Sequence, residues 1–429
     1  MRQSQLFTKT QKEAPADEVA KNAKLLIRAG FVDKLQAGVY TYLPLGLRVL
    51  KKIENIIREE MNAVGGQEIL MPSLHPKENW QTTGRWDTMD DLYKVSDTSG
   101  RENALGPTHE EVVVPLVKNF VSSYRDLPFS TYQFQNKFRM ELRAKSGILR
   151  GREFIMKDMY SFHRDEADMV AYYEKMKDVY TRVFERVGIG ATTFLTFAAG
   201  GSFAKYSHEF QTVTMAGEDT IFICDKCHVA VNKEIIEDQN DECPKCHGKN
   251  LRTETSVEVG NIFELKTKYS APFNLSYKDE EGVDQTVVMG CYGIGLGRVL
   301  GTVVEVLGDD KGLVWPSAIS PFAVHLVELG SADEATVRDE AQTLYSDLTN
   351  DGVEVLWDDR DLRAGEKFAE SDLIGIPLRV VVSAKTIASD MYEVKNRATG
   401  EVSMLSRNEL FATLKTSNQL IRASGINTI

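Results

Sequence analysis

Long apolar runs and an excess of basic residues are both missing from this sequence. No stretch approaches the ~18 consecutive apolar residues that a membrane-spanning helix needs, and the opening MRQSQLFTKTQKEAPADE lacks the apolar core of a secretory signal. These absences predict a cytoplasmic protein with no membrane partner. Lysine and arginine together number 51, against 63 aspartates and glutamates, so the net charge is −12. A general nucleic-acid binder is disfavoured, because its affinity rests on neutralising phosphates; any nucleic acid must be bound through local basic patches.

Cysteine is also scarce, with five residues in a chain of 429, which disfavours a disulfide-stabilised fold. Four of the five form two Cys-x-x-Cys pairs that are separated by 15 residues. This spacing predicts a structural zinc ribbon, closed to water because four sulfur ligands complete the tetrahedron. The predicted Zn²⁺ ligands are Cys224, Cys227, Cys243 and Cys246. His228 and His247 adjoin the pairs as less favoured ligands, and a redox dithiol pair or an empty vestige is the alternative interpretation.

A chain of this length holds two or three domains. Residues 16–29, 47–61 and 166–187 repeat apolar residues at helical spacing. After WPSAISPF the pattern changes, and residues 322–429 alternate strand and helix as βαβαβ. That order predicts a three-layer α/β domain with a mainly parallel sheet.

Two aromatic, strand-like runs, TYQFQNKFRMEL and EFIMKDMYSF, predict an antiparallel pair with a cationic loop at its tip. The loop cations are Arg143, Lys145, Arg150 and Arg152. Arg139 and Glu141 share a face because they lie two apart in an extended run. The guanidinium can fork onto a phosphate, and the carboxylate can accept from an amine. With Phe154 as a stacking surface, the set suits a nucleotide whose triphosphate bends back over the site. An ordinary surface hairpin is the alternative.

These residues carry a resemblance. FRMEL, a basic loop and REF resemble motif 2 of the class II aminoacyl-tRNA synthetases, and REFIMKDMYSFH is similar to bacterial prolyl-tRNA synthetases. The helix at 47–61 followed by QEILMP resembles motif 1, and GCYGIGLGRVLGTVVE resembles motif 3. A WxxxGRW segment and DDRDLRAGEKFAESDLIGIP also resemble the prolyl enzymes. The resemblance covers nearly the whole chain.

The resemblance implies an α+β fold: a class II antiparallel-sheet catalytic domain with a small zinc-ribbon-like insertion, followed by a three-layer α/β anticodon-binding domain. The expected boundaries are 1–216 and 254–320 for the two parts of the catalytic domain, 217–253 for the insertion and 321–429 for the anticodon-binding domain. The interval from His163 to Gly290 is too short for the editing domain of larger prolyl enzymes. Motif 1 implies a homodimer, although a helix packed within its own domain needs the same apolar stripe.

The implied reaction joins proline to tRNA(Pro) at the expense of ATP, through prolyl-adenylate and with Mg²⁺ on the phosphates. Without an editing domain, a separate trans-editing factor is an expected partner. Two alternatives remain at this point. One is a threonyl-type sister synthetase, which is disfavoured because that family holds zinc inside the amino-acid site. The other is an inactive paralogue that serves as a tRNA-binding or regulatory subunit, although both implied catalytic arginines, Arg139 and Arg298, are present.

Site residues carry over from the resemblance motif by motif. The implied ATP contacts are Arg139, Glu141, Arg150, Arg152, Phe154, Gln211 and Arg298. Thr108 and Glu110 match the TxE signature, in which a hydroxyl and a carboxylate accept the two N–H groups of the secondary ammonium of proline. The other implied proline contacts are Arg139, Met156, Asp158, Tyr160, His163, Ser202, His208, Cys291 and Gly293, with Glu209 beside them.

Three features keep plainer interpretations open. Thr108 and Glu111 have the spacing of a helix capping box. Residues 203–206 (FAKY) separate GGS from SHEF, where many bacterial members have a shorter spacer, so Gly200–Gly201 can equally be a hairpin turn and His208 structural. In the C-terminal domain, Arg360 and Lys367 are the predicted readers of guanine edges, while pairing of Arg360 with a neighbouring aspartate is the alternative.

Overall fold

The computed structural model describes residues 1–142, 144, 146–201, 203–330 and 335–423, the last eight without their side chains. The chain forms two compact units. The central unit comprises Gln36–Val39 and Glu54–Thr302, and the terminal unit comprises Met1–Leu35, Tyr40–Ile53 and the chain from Val303 onwards. None of the helices within the described ranges combines the length and the apolar character that crossing a bilayer requires.

Helices within the described residues include those predicted from apolar periodicity at 16–29, 47–61 and 166–187. They are α1 (Lys21–Arg28), α2 (Pro44–Ala63), α3 (Lys77–Thr82), α4 (Arg85–Thr88), α5 (Glu110–Lys118), α6 (Glu166–Arg186), α7 (Leu296–Leu307), α8 (Ala335–Asn350), α9 (Ala364–Ile374), α10 (Ala384–Ala388) and α11 (Arg407–Ala423). Helix α6 begins where the side chain of Asp165 accepts from the amide of Asp168 at 2.8 Å. Its buried stripe, which includes Tyr173, Tyr180 and Phe184, covers one face of the central sheet.

The strands fall into a large sheet in the central unit, a five-stranded sheet in the terminal unit and smaller ribbons. They are β1 (Val32–Gln36), β2 (Val39–Tyr42), β3 (Gly66–Glu68), β4 (Leu74–Pro76), β5 (Tyr93–Ser96), β6 (Glu102–Leu105), β7 (Phe129–Phe138), β8 (Glu153–His163), β9 (Thr193–Ala199), β10 (Tyr206–Val213), β11 (Asp219–Cys224), β12 (Val229–Asn232), β13 (Arg252–Lys266), β14 (Ser276–Lys278), β15 (Asp284–Thr286), β16 (Val288–Gly295), β17 (Val324–Leu329), β18 (Val355–Asp358), β19 (Leu378–Ser383), β20 (Tyr392–Asn396) and β21 (Val402–Leu405).

The large sheet has the order β10-β9-β12-β11-β13-β16-β8-β7-β3 and is mainly antiparallel, with β3–β7 and β9–β12 as parallel pairs. The antiparallel hairpin predicted from the two aromatic runs is confirmed: β7 and β8 pair from Phe129↔Phe162 to Phe138↔Glu153. On β8 the even-numbered side chains from Phe154 to Tyr160 share one face, and the odd-numbered ones face α6.

Strand β10 also pairs with β13, so five strands close into a ring in the order β10-β9-β12-β11-β13. The cysteine-rich segment supplies β11 and β12 to this ring. The segment predicted as a small insertion therefore contributes hydrogen-bonded strands to the central sheet.

The sheet of the terminal unit has the order β18-β17-β19-β20-β21. The first three strands are parallel, as predicted, and the last two are antiparallel. The difference has a simple cause. Only the five-residue helix α10 and a turn connect β19 to β20, and a parallel crossover needs about a dozen residues or more.

Candidate active site

A cavity of about 510 Å³ lies on the even-numbered face of β8 in the central unit. Its volume suits a small-molecule ligand. The structure brings eleven of the predicted residues to it: Thr108, Arg139, Glu141, Arg150, Phe154, Met156, Asp158, Glu209, Cys291, Gly293 and Arg298. They come from distant stretches that meet because β8 lies between β7 and β16, with Gly293 directly opposite Asp158.

Arg139 and Arg298 are two half-buried cations of this cavity. Burial lowers the pKa of Arg139. Its Nη2 donates to the carbonyl of Pro107 at 3.3 Å, and its Nε has no hydrogen-bond partner among the described residues. Arg298 lies in the first turn of α7, where its Nε donates to the carbonyl of Leu149 at 2.9 Å and its Nη1 to that of Glu258 at 3.1 Å. Both guanidiniums are oriented by the protein and keep donors for an anionic ligand.

Arg150 at the cavity edge is held by carboxylates. Its Nε donates to Glu141 at 2.6 Å, its Nη1 bonds to Glu218, and the bond to Glu141 raises its pKa. Arg152 is not a lining residue, because its Nε donates to the carbonyl of Glu141 at 2.9 Å. The predictions for Arg143 and Lys145 lie outside the described residues.

The Thr108–Glu110 pair sits at the inner end of the cavity. The Thr108 hydroxyl donates to Oε2 of Glu110 at 2.6 Å, and the Cys291 thiol donates to Oε1 at 3.5 Å. Thr108 lines the cavity, and the fully buried Glu110 lies directly behind it. The capping-box interpretation fails: the N-cap of α5 is His109, with no side-chain cap, and Glu111 instead pairs with Arg85 at 3.1 Å.

A buried polar cluster beneath this pair was missed by the sequence reasoning. Lys137 Nζ lies 2.8 Å from Asp158 Oδ1 and 2.8 Å from His109 Nδ1. Tyr160 donates its hydroxyl to Asp158 Oδ2 at 3.0 Å and accepts from the His109 amide at 3.1 Å. Burial lowers the pKa of His109 to about 3, so its imidazole is neutral and accepts from the ammonium. Tyr160, predicted to line the pocket, thus holds the loop of Thr108 from below. The sequence did carry a signal for Lys137. Side chains two residues apart on a strand share a face, so Lys137 lies on the same face as Arg139.

Two predicted proline contacts are corrected by strand alternation. His163 is an odd-numbered residue of β8, so it lies on the opposite face with its Nδ1 3.0 Å from Asp168. His208 faces α6, where its Nδ1 is 2.8 Å from the Tyr173 hydroxyl. Neither lines the cavity. The structural interpretation of His208 therefore holds, and the Ser202 prediction lies outside the described residues.

Gln211 is also displaced from its predicted ATP contact. It is fully buried behind the wall of the cavity, and its amide nitrogen donates to Glu209 and Asp219, at 2.8 Å each. Those two carboxylates, together with Glu258, line the cavity. Burial, and then the charge of Glu258, raise the pKa of Glu209 to about 8. Gln211 thus orients two acidic residues of the cavity wall, Glu209 and Asp219. Of these, only Glu209 was among the residues predicted from the sequence.

The four predicted zinc ligands come together. The sulfurs of Cys224, Cys227, Cys243 and Cys246 all lie within 4.8 Å of one another, and Cys224 Sγ is 3.7 Å from Cys246 Sγ. A tetrahedral ion with bonds of ~2.3 Å places its sulfurs ~3.8 Å apart, so the residues fit zinc. Left-handed backbone at His228 (φ 52°) and His247 (φ 55°) closes each turn, with their amides 2.9 Å from the carbonyls of Cys224 and Cys243.

In the terminal unit, the two predicted guanine readers are already engaged. Arg360 pairs with Asp358 through two bonds of 2.8 Å and with Glu370 at 2.7 Å, which is the alternative considered for it. Lys367 is buried, and its ammonium donates to the carbonyls of Glu328 at 2.6 Å and Asp358 at 3.2 Å. Its predicted exposure to a base is therefore corrected. A groove at the end of β17 is instead lined by Leu329, Gly330, Asp361, Leu362, Arg363, Ala364 and Glu366.

Known families match both the central and the C-terminal parts of this chain. The class II core domain of tRNA synthetases (G, H, P, S and T) matches residues 93–307, and an anticodon binding domain matches residues 320–417. The proline–tRNA ligase of Anaplasma phagocytophilum (strain HZ) is 41% identical over 431 residues, covering 96% of this chain and 100% of the relative. This chain belongs to the proline–tRNA ligases.

Other proline–tRNA ligases are longer. That of Desulfitobacterium hafniense (strain DSM 10664 / DCB-2) is 33% identical over 562 residues, covering 96% of this chain and 97% of the relative. That of Citrifermentans bemidjiense (strain ATCC BAA-1014 / DSM 16622 / JCM 12645 / Bem) is 34% identical over 568 residues, covering 97% and 98%. Both alignments exceed the 429 residues of this chain, which agrees with the expectation that it lacks the insertion domain.

Proposed function

We propose that this chain ligates proline to tRNA(Pro) in two steps at the cavity of the central unit, without editing in cis. The observation that carries the proposal is the convergence of three groups on one cavity: the Thr108–Glu110 pair, Arg139 and Arg298. A cavity with a hydroxyl–carboxylate couple at its inner end and two guanidiniums above it matches an amino acid whose carboxylate meets a nucleotide phosphate.

In the first step, a carboxylate oxygen of proline attacks the α-phosphorus of ATP in line, and pyrophosphate leaves with the electrons of the broken P–O bond. In the second step, the terminal 3′-hydroxyl of the tRNA attacks the carbonyl of prolyl-adenylate, and AMP leaves. The proline ammonium donates to Thr108 and Glu110. Arg139, whose Nε is unpartnered among the described residues, holds the carboxylate and the α-phosphate together. The catalysis consists of positioning and charge stabilisation.

The nucleotide contacts follow the lining of the cavity. Phe154 offers its ring and Glu141 its carboxylate to adenine, while Arg298 and Arg150 bind the outer phosphates. For Arg150 this requires exchange of its bonds to Glu141 and Glu218. Mg²⁺, when bound with ATP, neutralises phosphate charge. Asp219 and Glu258 fit it, because their carboxylates lie on the same wall and are the oxygen ligands that Mg²⁺ prefers.

Proline-dependent exchange of labelled pyrophosphate into ATP tests the proposal, with alanine and threonine as controls. We expect exchange with proline far above that with either control. Exchange driven best by threonine would favour a threonyl-type enzyme. Absence of exchange with every amino acid, combined with tight tRNA binding, would favour an inactive tRNA-binding paralogue.

The four-cysteine cluster is proposed as a structural Zn²⁺ site that stabilises β11 and β12 in the ring. We expect about one zinc per chain in purified protein, and loss of it in Cys243→Ser with a lower melting temperature. A metal-free protein that melts at the temperature of a zinc-loaded one would exclude the site.

The remaining assignments are proposals of the same kind. A homodimer formed through the motif 1 region, a cytoplasmic location, a separate editing factor and the boundaries 1–216, 217–253, 254–320 and 321–429 are expectations that the family resemblance supports. For the anticodon, we propose the groove at the end of β17, where Arg363 is the cation at hand, in place of Lys367. Arg363→Ala should weaken tRNA charging without affecting proline-dependent exchange.

A further inference from the structure

The spacer Phe203–Tyr206 brings an aromatic ring into the wall of the cavity. Strand β9 ends at Ala199 and β10 begins at Tyr206. Between them, the amides of Phe203 and Ala204 donate to the carbonyl of Gly200 at 3.0 and 3.2 Å, and the Gly200 amide donates to the carbonyl of Lys205 at 3.1 Å. Three backbone bonds therefore fix the turn from which Phe203 projects.

Gly200 makes this turn possible. A Cβ atom at this position would lie 2.2 Å from the carbonyl oxygen of Ala204, which no side chain can occupy. The glycine thus lets the spacer fold back tightly over the end of β9. In the sequence, the spacer is longer than in many bacterial members of the family. In the structure, it places Phe203 in the wall of the cavity.

The ring of Phe203 lies among side chains of the inner end of the cavity. Its centroid is 4.7 Å from that of Phe263 and 6.2 Å from that of Tyr269, and the Arg85 guanidinium carbon is 5.4 Å from it. Arg85 is in turn held by Glu111 at 3.1 Å and lies 3.6 Å from Glu110. The ring therefore packs against the residues that position the Thr108–Glu110 pair.

Phe203 and Phe263 line the same cavity as Thr108, Met156 and Cys291. Together they form an apolar wall beside the hydroxyl–carboxylate couple. A ligand whose ammonium is bound by that couple presents its side chain to this wall. The two phenyl rings of this wall are inclined by 37° to each other, and they offer apolar faces against which a saturated five-membered ring can pack.

We propose that Phe203 is a specificity-determining residue that packs on the pyrrolidine ring of proline and favours it over alanine. The inference rests on the proposed function and deepens it. Proline buries three ring methylenes where alanine buries one methyl, and each apolar carbon taken out of water adds to binding. A small pocket cannot exclude alanine by size, so the cavity itself can prefer proline only through such contacts.

The test compares Phe203→Ala with Tyr206→Ala, which removes an aromatic ring from the same spacer that does not line the cavity. Exchange is measured with proline, with alanine and with pipecolate, the six-membered homologue. For Phe203→Ala we expect KM for proline to rise ~10-fold and the proline-to-alanine ratio of kcat/KM to fall ~10-fold, from the loss of about two buried methylenes. KM for ATP should not change, pipecolate should gain relative to proline, and Tyr206→Ala should behave as the unmodified chain.

Equal losses with proline and alanine, a parallel rise in KM for ATP, or an unchanged ratio would each overturn the proposal. If Phe203→Ala does not fold, Phe203→Leu replaces it, and the proline-to-alanine ratio must then fall by a smaller factor or the proposal is wrong. A failure of the proposed function looks different, because the unmodified chain itself would then show no proline-dependent exchange.

Discussion

Arg139 in the central unit and Arg360 in the terminal unit differ in the partners that the fold gives them. In the central unit, Arg139 is half-buried and its Nε has no hydrogen-bond partner among the described residues, whereas Arg298 bonds to two backbone carbonyls and to the Glu258 carboxylate at 3.3 Å. In the terminal unit, Arg360 is held by two carboxylates and Lys367 is buried against carbonyls. The contrast shows that an arginine in a recognisable motif is available to a ligand only where the fold leaves its donors unmatched.

This contrast also distinguishes substitutions that should lower activity from substitutions that should lower stability. Removing a cation that serves an absent ligand should lower activity and leave the fold intact. Removing one that neutralises a buried carboxylate should lower stability, because the carboxylate is left unpaired in a poorly solvated place. Four experiments test that separation, from the largest expected effect to the smallest.

Arg298→Ala should reduce proline-dependent exchange by ~10²–10³-fold, the usual loss when a donor to transition-state charge is removed. Its partners are two backbone carbonyls and the partly exposed carboxylate of Glu258 at the edge of the cavity, so the melting temperature should change little. Exchange kinetics and thermal melting, measured on the same preparation, check this. Near-normal exchange would remove Arg298 from the ATP site.

Lys137→Met should lower the free energy of unfolding by ~3–5 kcal/mol, because it leaves the carboxylate of Asp158 buried without its charge partner. The double variant Lys137→Met/Asp158→Asn should recover part of that loss. Urea denaturation measures both. The exposed Lys175 on α6 serves as the control, and Lys175→Met should be neutral. A fully tolerated Lys137→Met would mean that the buried pair does not hold this site together.

Arg360→Ala should cost ~1–3 kcal/mol of stability in the terminal unit, because the buried Asp358 loses two hydrogen bonds. Proline-dependent exchange should be normal, since the residue is remote in function from proline activation. A loss of exchange at a temperature where the variant is folded would contradict the division of roles between the cations of the two units.

The buried histidines of the two units should give the smallest effects. Burial lowers the pKa of His208 to about 3 in the central unit and that of His325 to about 4 in the terminal unit. Both stay neutral in the fold, while an unfolded histidine binds a proton below about pH 6.5. The unfolded state therefore binds more protons between pH 6.5 and 4, so stability should fall as the pH falls through that window.

His208→Asn and His325→Asn should each reduce the fall in the free energy of unfolding as the pH falls, by up to ~1.4 kcal/mol per pH unit. Unfolding midpoints at pH 7, 6 and 5 give the slopes, and the slope is compared because the substitutions also change packing. An unchanged slope in either variant would show that the histidine is protonated in the folded state.

Local sequence patterns predicted the helices, the strands and the cysteine cluster better than they predicted which residues surround them. The β7–β8 hairpin, helix α6 and the four-cysteine cluster were all predictable, because period two, period 3.6 and Cys-x-x-Cys spacing involve neighbours in the chain. The odd position of His163 on β8 also predicted that its side chain faces away from the cavity. The family resemblance was followed instead, and the prediction for His163 was wrong.

Other features depended on contacts between distant segments. The pairing of Lys137 with His109 and Asp158, the burial of Lys367 and the closing of a ring by β11 and β12 each join stretches tens of residues apart. No periodicity in the sequence reports which charges meet across such distances.

By itself, the sequence determined which segments become helices or strands, which cysteines can share an ion and which family the motifs resemble. Only the tertiary structure decided which cations are free to receive a ligand and which side chain fills the wall beside Thr108. The physical reason is that secondary structure follows from backbone geometry within one turn or one strand, whereas the desolvation and pairing of a charge depend on every segment packed around it.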